Sequence, residues 1–165
     1  MNSIILRKAT EEDLPIILEI YNEALLTTNA HYFSEPVSLE ERKKWFHAHG
    51  ERHPVFVAEM NDQIIGWASL TRWSPYHAFE DSVESSVYIH KESRGKGIGK
   101  ILLNKVIDEG SKTGIHTIIA RILEGNPGSI KIHEELGFEH IGIMKDIGKK
   151  NGKYLDLFMM QKMIK

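Results

Sequence analysis

Three glycines at alternate positions, Gly95, Gly97 and Gly99 in "RGKGIGK", stand among the cations Arg94, Lys96 and Lys100. A β-branched run, "DSVESSVYIH", precedes them, and an apolar-periodic run with Ile98, Ile101, Leu102 and Val106 follows, so the turn joins a strand to the start of a helix. A helix N-terminus presents unpaired N–H groups and a partial positive charge, and glycines leave those groups unshielded. A phosphate or pyrophosphate is its natural guest; a tight loop coated with cations is the plainer reading of the same residues. Two better-known phosphate turns do not fit. The P-loop needs a hydroxyl after Gly-Lys, where Ile101 follows Gly99-Lys100, and the dinucleotide turn needs glycine where Lys100 stands.

Two side chains suit proton transfer. Strand alternation sets Glu84 with Ser86 and Tyr88 on the face opposite Val83, Val87 and Ile89. A carboxylate so close to the anion turn can take a proton from an ammonium ion, directly or through water; a glutamate there can equally be solvated on an open sheet face. His133 in "SIKIHEELG" titrates near neutrality and can exchange a proton with a reacting group, or serve as a structural side chain. The preceding loop "TRWSPYHAFEDS" offers Trp73, Tyr76 and Phe79 as candidate walls of an acceptor pocket. His47, His49 and His53 do not read as a metal cluster, because the first two lie two apart on a helix and face different ways. No metal is expected.

The elements that must position these groups alternate along the chain. "SIILR" reads as a strand and "TEEDLPIILEIYNEALL" as a helix capped at Thr10, with Asp13 three residues on and an apolar face of Leu14, Ile17, Leu18, Tyr21 and Leu25. "SLEERKKWFHAH" is a second helix, capped by Ser38. "PVFVAEM" and "QIIGWASLTRW" are strands about an "NDQ" turn, and after the glycine-opened helix come strand "HTIIARIL", helix "SIKIHEELG" and two strands around "NGK". The pattern predicts an α/β or α+β domain with a mixed sheet. At 165 residues, 41% hydrophobic and 27% charged, the chain is long enough for one globular domain, and its net charge of -2 argues against a nucleic-acid partner. There is no cysteine and no apolar run of membrane-spanning length, so a cytoplasmic protein with no membrane partner is expected.

The hexad Arg94-Gly95-Lys96-Gly97-Ile98-Gly99 matches R/Q-x-x-G-x-G/A, and so resembles the acetyl-CoA pyrophosphate-binding signature of the GNAT superfamily of N-acetyltransferases. "NPGSIKIHEELGF" resembles that superfamily's second motif, in which residues at the places of Asn126 and Ser129 contact the pantetheine arm. "SVESSVYIH", "LEIYNEALL", Trp45-Phe46 and "NGKYLDLFMMQKMI" extend the likeness over the whole chain, to the branch of phosphinothricin and amino-acid N-acetyltransferases. The resemblance implies one GNAT domain over residues 1–165, with a mixed, mostly antiparallel sheet flanked by helices, and a homodimer. It implies acetyl-CoA held by the main chain of Val87, Tyr88 and Ile89, by residues 94 to 100 (including Ile98 and Lys100), and by Asn126 and Ser129. It makes Glu84 the base and gives His133 the register of the proton donor to the departing thiolate. In that branch a basic residue commonly follows the loop tryptophan and suits an acceptor carboxylate, whereas Ser74 follows Trp73 here. The expected reaction is direct acetylation of a small primary amine, an amino acid or analogue ahead of a polyamine. A CoA-sensing module without turnover and an acetyltransferase for protein amines are the alternatives.

Overall fold

The β-branched and aromatic runs become seven strands: β1 (Ile5–Lys8), β2 (Val55–Met60), β3 (Gln63–Arg72), β4 (Ser82–Ile89), β5 (Thr117–Leu123), β6 (Glu139–Lys150) and β7 (Lys153–Met163). Four helices intervene: α1 (Leu14–Thr27), α2 (Leu39–His49), α3 (Ile98–Ser111) and α4 (Pro127–Glu135). These come from a computed structural model that describes residues 3–29 and 35–164. The strands form one sheet in the order β1-β2-β3-β4-β5-β7-β6. Only β4 and β5 pair in parallel, as their linkage through α3 requires, because two parallel neighbours need a long crossover. The sheet is therefore mixed and mostly antiparallel. Its two tightest hairpins turn on Asn61-Asp62 and Asn151-Gly152, all with positive φ, the backbone that two-residue turns between twisted strands demand.

Helix starts follow local chemistry. Thr10 and Asp13 form a reciprocal capping box over a single 3₁₀ turn, after which α1 begins at Leu14 with Pro15 in its first turn, where a missing N–H leaves no bond unmade. Ser38 and Glu41 form a second box on α2. The buried face of α1 includes Ile20 and Ala24 beside Leu14, Ile17, Tyr21 and Leu25, while Leu18 is only half-buried. That face packs with Val57 and Trp67 on one side of the sheet. On the other side Leu102, Leu103 and Val106 of α3 meet Phe56, Leu70 and Val83, and Ile130 and Ile132 of α4 join them.

The end of α2 is fastened by a buried histidine. His49 donates from Nδ1 to the Trp45 carbonyl at 2.7 Å, which leaves Nε2 to accept from Thr71 Oγ1 at 3.1 Å. Burial pushes its pKa down to about 4, so between pH 6.5 and 4 the unfolded chain takes up a proton that the folded one refuses. Stability then falls as the pH falls, by about 3 kcal/mol over that window. Urea unfolding should show His49→Gln less stable than the parent at pH 7 and the gap closing by pH 4.5; a gap independent of pH would remove His49 as its source.

Candidate active site

The site begins where β4 and β5 stop pairing. Their ladder runs from Ser82↔Thr117 only to Glu84↔Ile119, while β4 stays paired with β3 along its whole length. Two bonds fix the phase of β4: Trp73 N–H donates to the Ser82 carbonyl, and His90 N–H to the Ile65 carbonyl. Even-numbered residues between them therefore turn their backbone toward β3. Ser85, Val87 and Ile89 turn theirs toward the parted edge. Of the three residues expected to pair with a cofactor, Val87 and Ile89 thus offer N–H groups to the cleft, and Tyr88 directs its own into the ladder. Alternation along a strand was legible, but which edge would open depends on where β5 diverges.

The cleft above this edge has a volume of about 580 Å³ and is lined by Val87, Ile89, Gly97, Gly99, Asn126 and Ser129 among others. Gly95 and Gly97 have φ of +73° and +79°, and a Cβ on either would meet no atom within 4 Å. The turn is left-handed and open, leaving the first N–H groups of α3 approachable. Gly99 is needed for another reason: a Cβ there would lie 3.1 Å from Ile132 Cδ1 of α4. The cations are already engaged. Arg94 donates from Nε to the Ile89 carbonyl at 3.0 Å and is paired with Glu23; Lys96 donates to the Glu92 carbonyl at 2.9 Å, and Lys100 meets Glu135 at 3.0 Å.

Across the cleft, Asn126 occupies the N-cap position of α4, but its side chain does not cap the helix. Its amide nitrogen donates instead to the carbonyls of Leu123 and Asn29, both at 2.8 Å. Both partners are acceptors, so the orientation of the amide is fixed and Oδ1 remains to accept a bond. A ligand carrying a pyrophosphate and an extended amide-bearing arm, as coenzyme A does, fits this set of donors and acceptors.

His133 is 3% exposed. Nδ1 donates to the Ser129 carbonyl at 2.7 Å, and Nε2 lies 3.1 Å from Ser85 Oγ. The carbonyl can only accept, so Nε2 carries the lone pair and the Ser85 hydroxyl donates to it. Burial lowers the pKa of the ring, which favours this neutral form. The structure therefore holds His133 as an acceptor beside the parted edge. As a proton donor it would first have to gain a proton and release Ser85.

Glu84 sits on the opposite face of β4, clasped by Arg121 of β5 through two bonds of 2.7 and 2.6 Å. It borders a cavity of about 600 Å³ between the sheet and α1–α2. The aromatic wall there comes from Tyr21, Trp45, Trp67 and Tyr88, not from the loop before Glu84. Tyr76 and Phe79 are exposed on that loop and do not line the cavity. Trp73 stacks on the Arg121 guanidinium at 5.2 Å. The loop turns outward, and its polar groups find partners there: Asp81 pairs with Arg52, Glu80 meets the His77 ring at 2.9 Å, and Arg72 donates to the Pro75 carbonyl. Arg121 and the helical aromatics take no site role in the sequence, where "HTIIARIL" reads as a strand and "SLEERKKWFHAH" as a helix. Among the described residues no cluster of three or more His, Asp or Glu side chains is placed to hold a metal.

A parallel strand pair that parts over a glycine-opened helix N-terminus, with an acid-bearing cavity on the far face, makes a two-sided site in which an anionic ligand and a second small molecule meet across one strand. Residues 6–159 match the family model described as "Acetyltransferase (GNAT) domain", and the chain belongs to the GNAT acetyltransferase family. It is 41% identical over 158 residues to the L-methionine sulfoximine/L-methionine sulfone acetyltransferase of Pseudomonas paraeruginosa, covering 94% of this chain and 92% of that one. Among solved structures it resembles yncA of Salmonella typhimurium, determined with acetyl-CoA, at a TM-score of 0.95 and 38% identity over 99% of this chain and 95% of that one. It also resembles a phosphinothricin acetyltransferase of Sinorhizobium meliloti in complex with acetyl-CoA, at a TM-score of 0.93 and 37% identity over 98% and 88% of the two chains.

Proposed function

We propose that this protein transfers the acetyl group of acetyl-CoA to the primary amine of a small amino acid or amino-acid analogue. The observation that carries the reading is the meeting of two clefts at one strand: β4 offers Val87 and Ile89 to the parted edge and Glu84, Ser86 and Tyr88 to the aromatic cavity. Bound acetyl-CoA would supply an activated acetyl thioester. Arg94, Lys96, Lys100 and the N–H groups of residues 95 to 99 would hold the pyrophosphate, the cations turning from their present partners, and Val87, Ile89, Asn126 and Ser129 would hold the arm. The Val87 N–H is the donor available to a carbonyl oxygen that gains negative charge. Glu84, oriented by Arg121, takes the proton that an ammonium acceptor must lose before its nitrogen can attack. His133 positions Ser85 and with it the edge of β4.

A walled cavity suits a small molecule better than a protein amine. Exposed Ile141, Ile143, Met144 and Ile147 on the edge strand β6 make a homodimer through that strand part of the proposal. A cytoplasmic location is its other part; no helix among the described residues is long and apolar enough to cross a membrane. Sedimentation at a monomer's mass, or recovery of the chain outside the cytoplasmic fraction, would remove the corresponding part. The central test is thiol release from acetyl-CoA with methionine sulfone, phosphinothricin, the common amino acids, polyamines and short peptides. Release should occur with amino acids or their analogues. Binding of acetyl-CoA with no release from any of them would refute the transfer.

A further inference from the structure

Arg42 of α2 is 4% exposed, a burial unusual for a guanidinium without a counter-ion. Its central carbon lies 4.2 Å from the ring centre of Tyr21, 4.5 Å from that of Trp45 and 5.6 Å from that of Trp67. Three π faces hold the cation in place and offset part of its desolvation. No carboxylate of the described residues forms an ion pair with it, and its Nε is buried without a hydrogen-bond partner.

The acids of the same cavity are committed elsewhere or lie apart. Glu84 belongs to Arg121, Glu41 accepts from the N–H and hydroxyl of Ser38 at 2.8 Å, and Glu35 is exposed. A second buried donor on this cavity, Trp67 Nε1, also lacks a partner. Among the described residues, the cavity beside Glu84 therefore contains two buried donors without partners and a cation with no carboxylate, its polar neighbour being the Tyr21 hydroxyl. A buried cation without a counter-ion, facing a cavity, is a specificity device, because the ligand that brings the missing anion gains what any neutral analogue leaves unmet.

We infer that Arg42 is the carboxylate anchor of the acceptor site, so that the acceptor is an amine bearing its own carboxylate, seated on α2 with its nitrogen toward Glu84. The inference rests on the reading of this cavity as the acceptor site. It places selection for an anionic acceptor on a helix of the core, and accounts for a loop after Trp73 that carries Ser74 and the acids Glu80 and Asp81.

Calorimetric titration of the CoA-loaded protein with methionine sulfone and with its carboxamide tests this without turnover. The parent should bind the acid about 30-fold more tightly than the amide, the effect of one charge-assisted bond. Arg42→Met should remove that preference while leaving affinity for the amide and for acetyl-CoA within about twofold. If the Met variant fails to bind acetyl-CoA or to melt cooperatively, Arg42→Lys, which keeps the charge and loses the fork, should keep part of the preference. A parent that binds both compounds equally or neither, or a variant that keeps the full preference or weakens both compounds alike, overturns the assignment. Thiol release measured alongside separates the two readings. Selective binding without release would sink acetyl transfer and leave Arg42 standing, whereas release with no acid preference would do the reverse.

Discussion

Glu84→Gln should lower kcat by about 100- to 1,000-fold at pH 7 while leaving the affinity for acetyl-CoA unchanged. The substitution keeps the shape of the side chain and one oxygen for Arg121, whose two bonds of 2.7 and 2.6 Å hold the carboxylate in place. What it removes is a site that can accept a proton. The anion cradle lies across β4, on the cleft side of the strand, so cofactor binding has no reason to change. The deficit should shrink as the pH rises toward the pKa of the acceptor amine, because solvent then does the deprotonation that Glu84 otherwise performs. Parallel pH profiles for parent and variant, at any ratio of rates, would assign Glu84 a role in packing or acceptor binding instead of proton removal. Equal rates would remove it from the chemistry.

The legibility of this site divides along the range of the interactions that make it. Caps and turns are local: Thr10 with Asp13, Ser38, and the Asn61-Asp62 hairpin could each be read from a few neighbouring residues, because the bonds that fix them span three or four positions. The face shared by Glu84, Ser86 and Tyr88 was legible for the same reason, since alternation is a property of one strand. The partners of these residues were not. Arg121 reaches Glu84 across 37 positions through a parallel register that exists only once α3 has carried the chain over the sheet. Arg42 sits in "LEERKKWFHAH", which the sequence marks only as a capped helix; the packing of α2 over Tyr21 and Trp67, with its own Trp45 alongside, buries that one cation and leaves Lys43 and Lys44 exposed. An arginine three residues before a tryptophan on one helix face was the available signal. Tyr76 and Phe79 mislead in the opposite sense. Aromatic residues next to a candidate base look like a pocket wall, yet the Asp81–Arg52 ion pair and the Glu80–His77 contact accompany an outward-turned loop.

Gly97→Asp should weaken acetyl-CoA binding by about 100-fold, as a like charge a few ångströms from a phosphate predicts at the effective dielectric of a protein surface. The position isolates that electrostatic effect. Gly97 has a φ of +79° at the N-cap of α3, and a Cβ there would meet nothing within 4 Å. Aspartate and asparagine enter the left-handed region more readily than other side chains and are both favoured N-caps, so neither should unravel α3. Gly97→Asn is therefore the matched control, adding the same bulk without the charge, and should cost less than about fivefold in affinity. Because the turn is exposed, the difference between the two variants should narrow as salt is raised and the added charge is screened. Equal loss in both would mean that the ligand approaches too closely for any side chain at residue 97, which still places it on the helix N-terminus. Unchanged affinity in both would take the pyrophosphate away from this turn, leaving Gly95 and Gly97 as the makings of a tight bend alone.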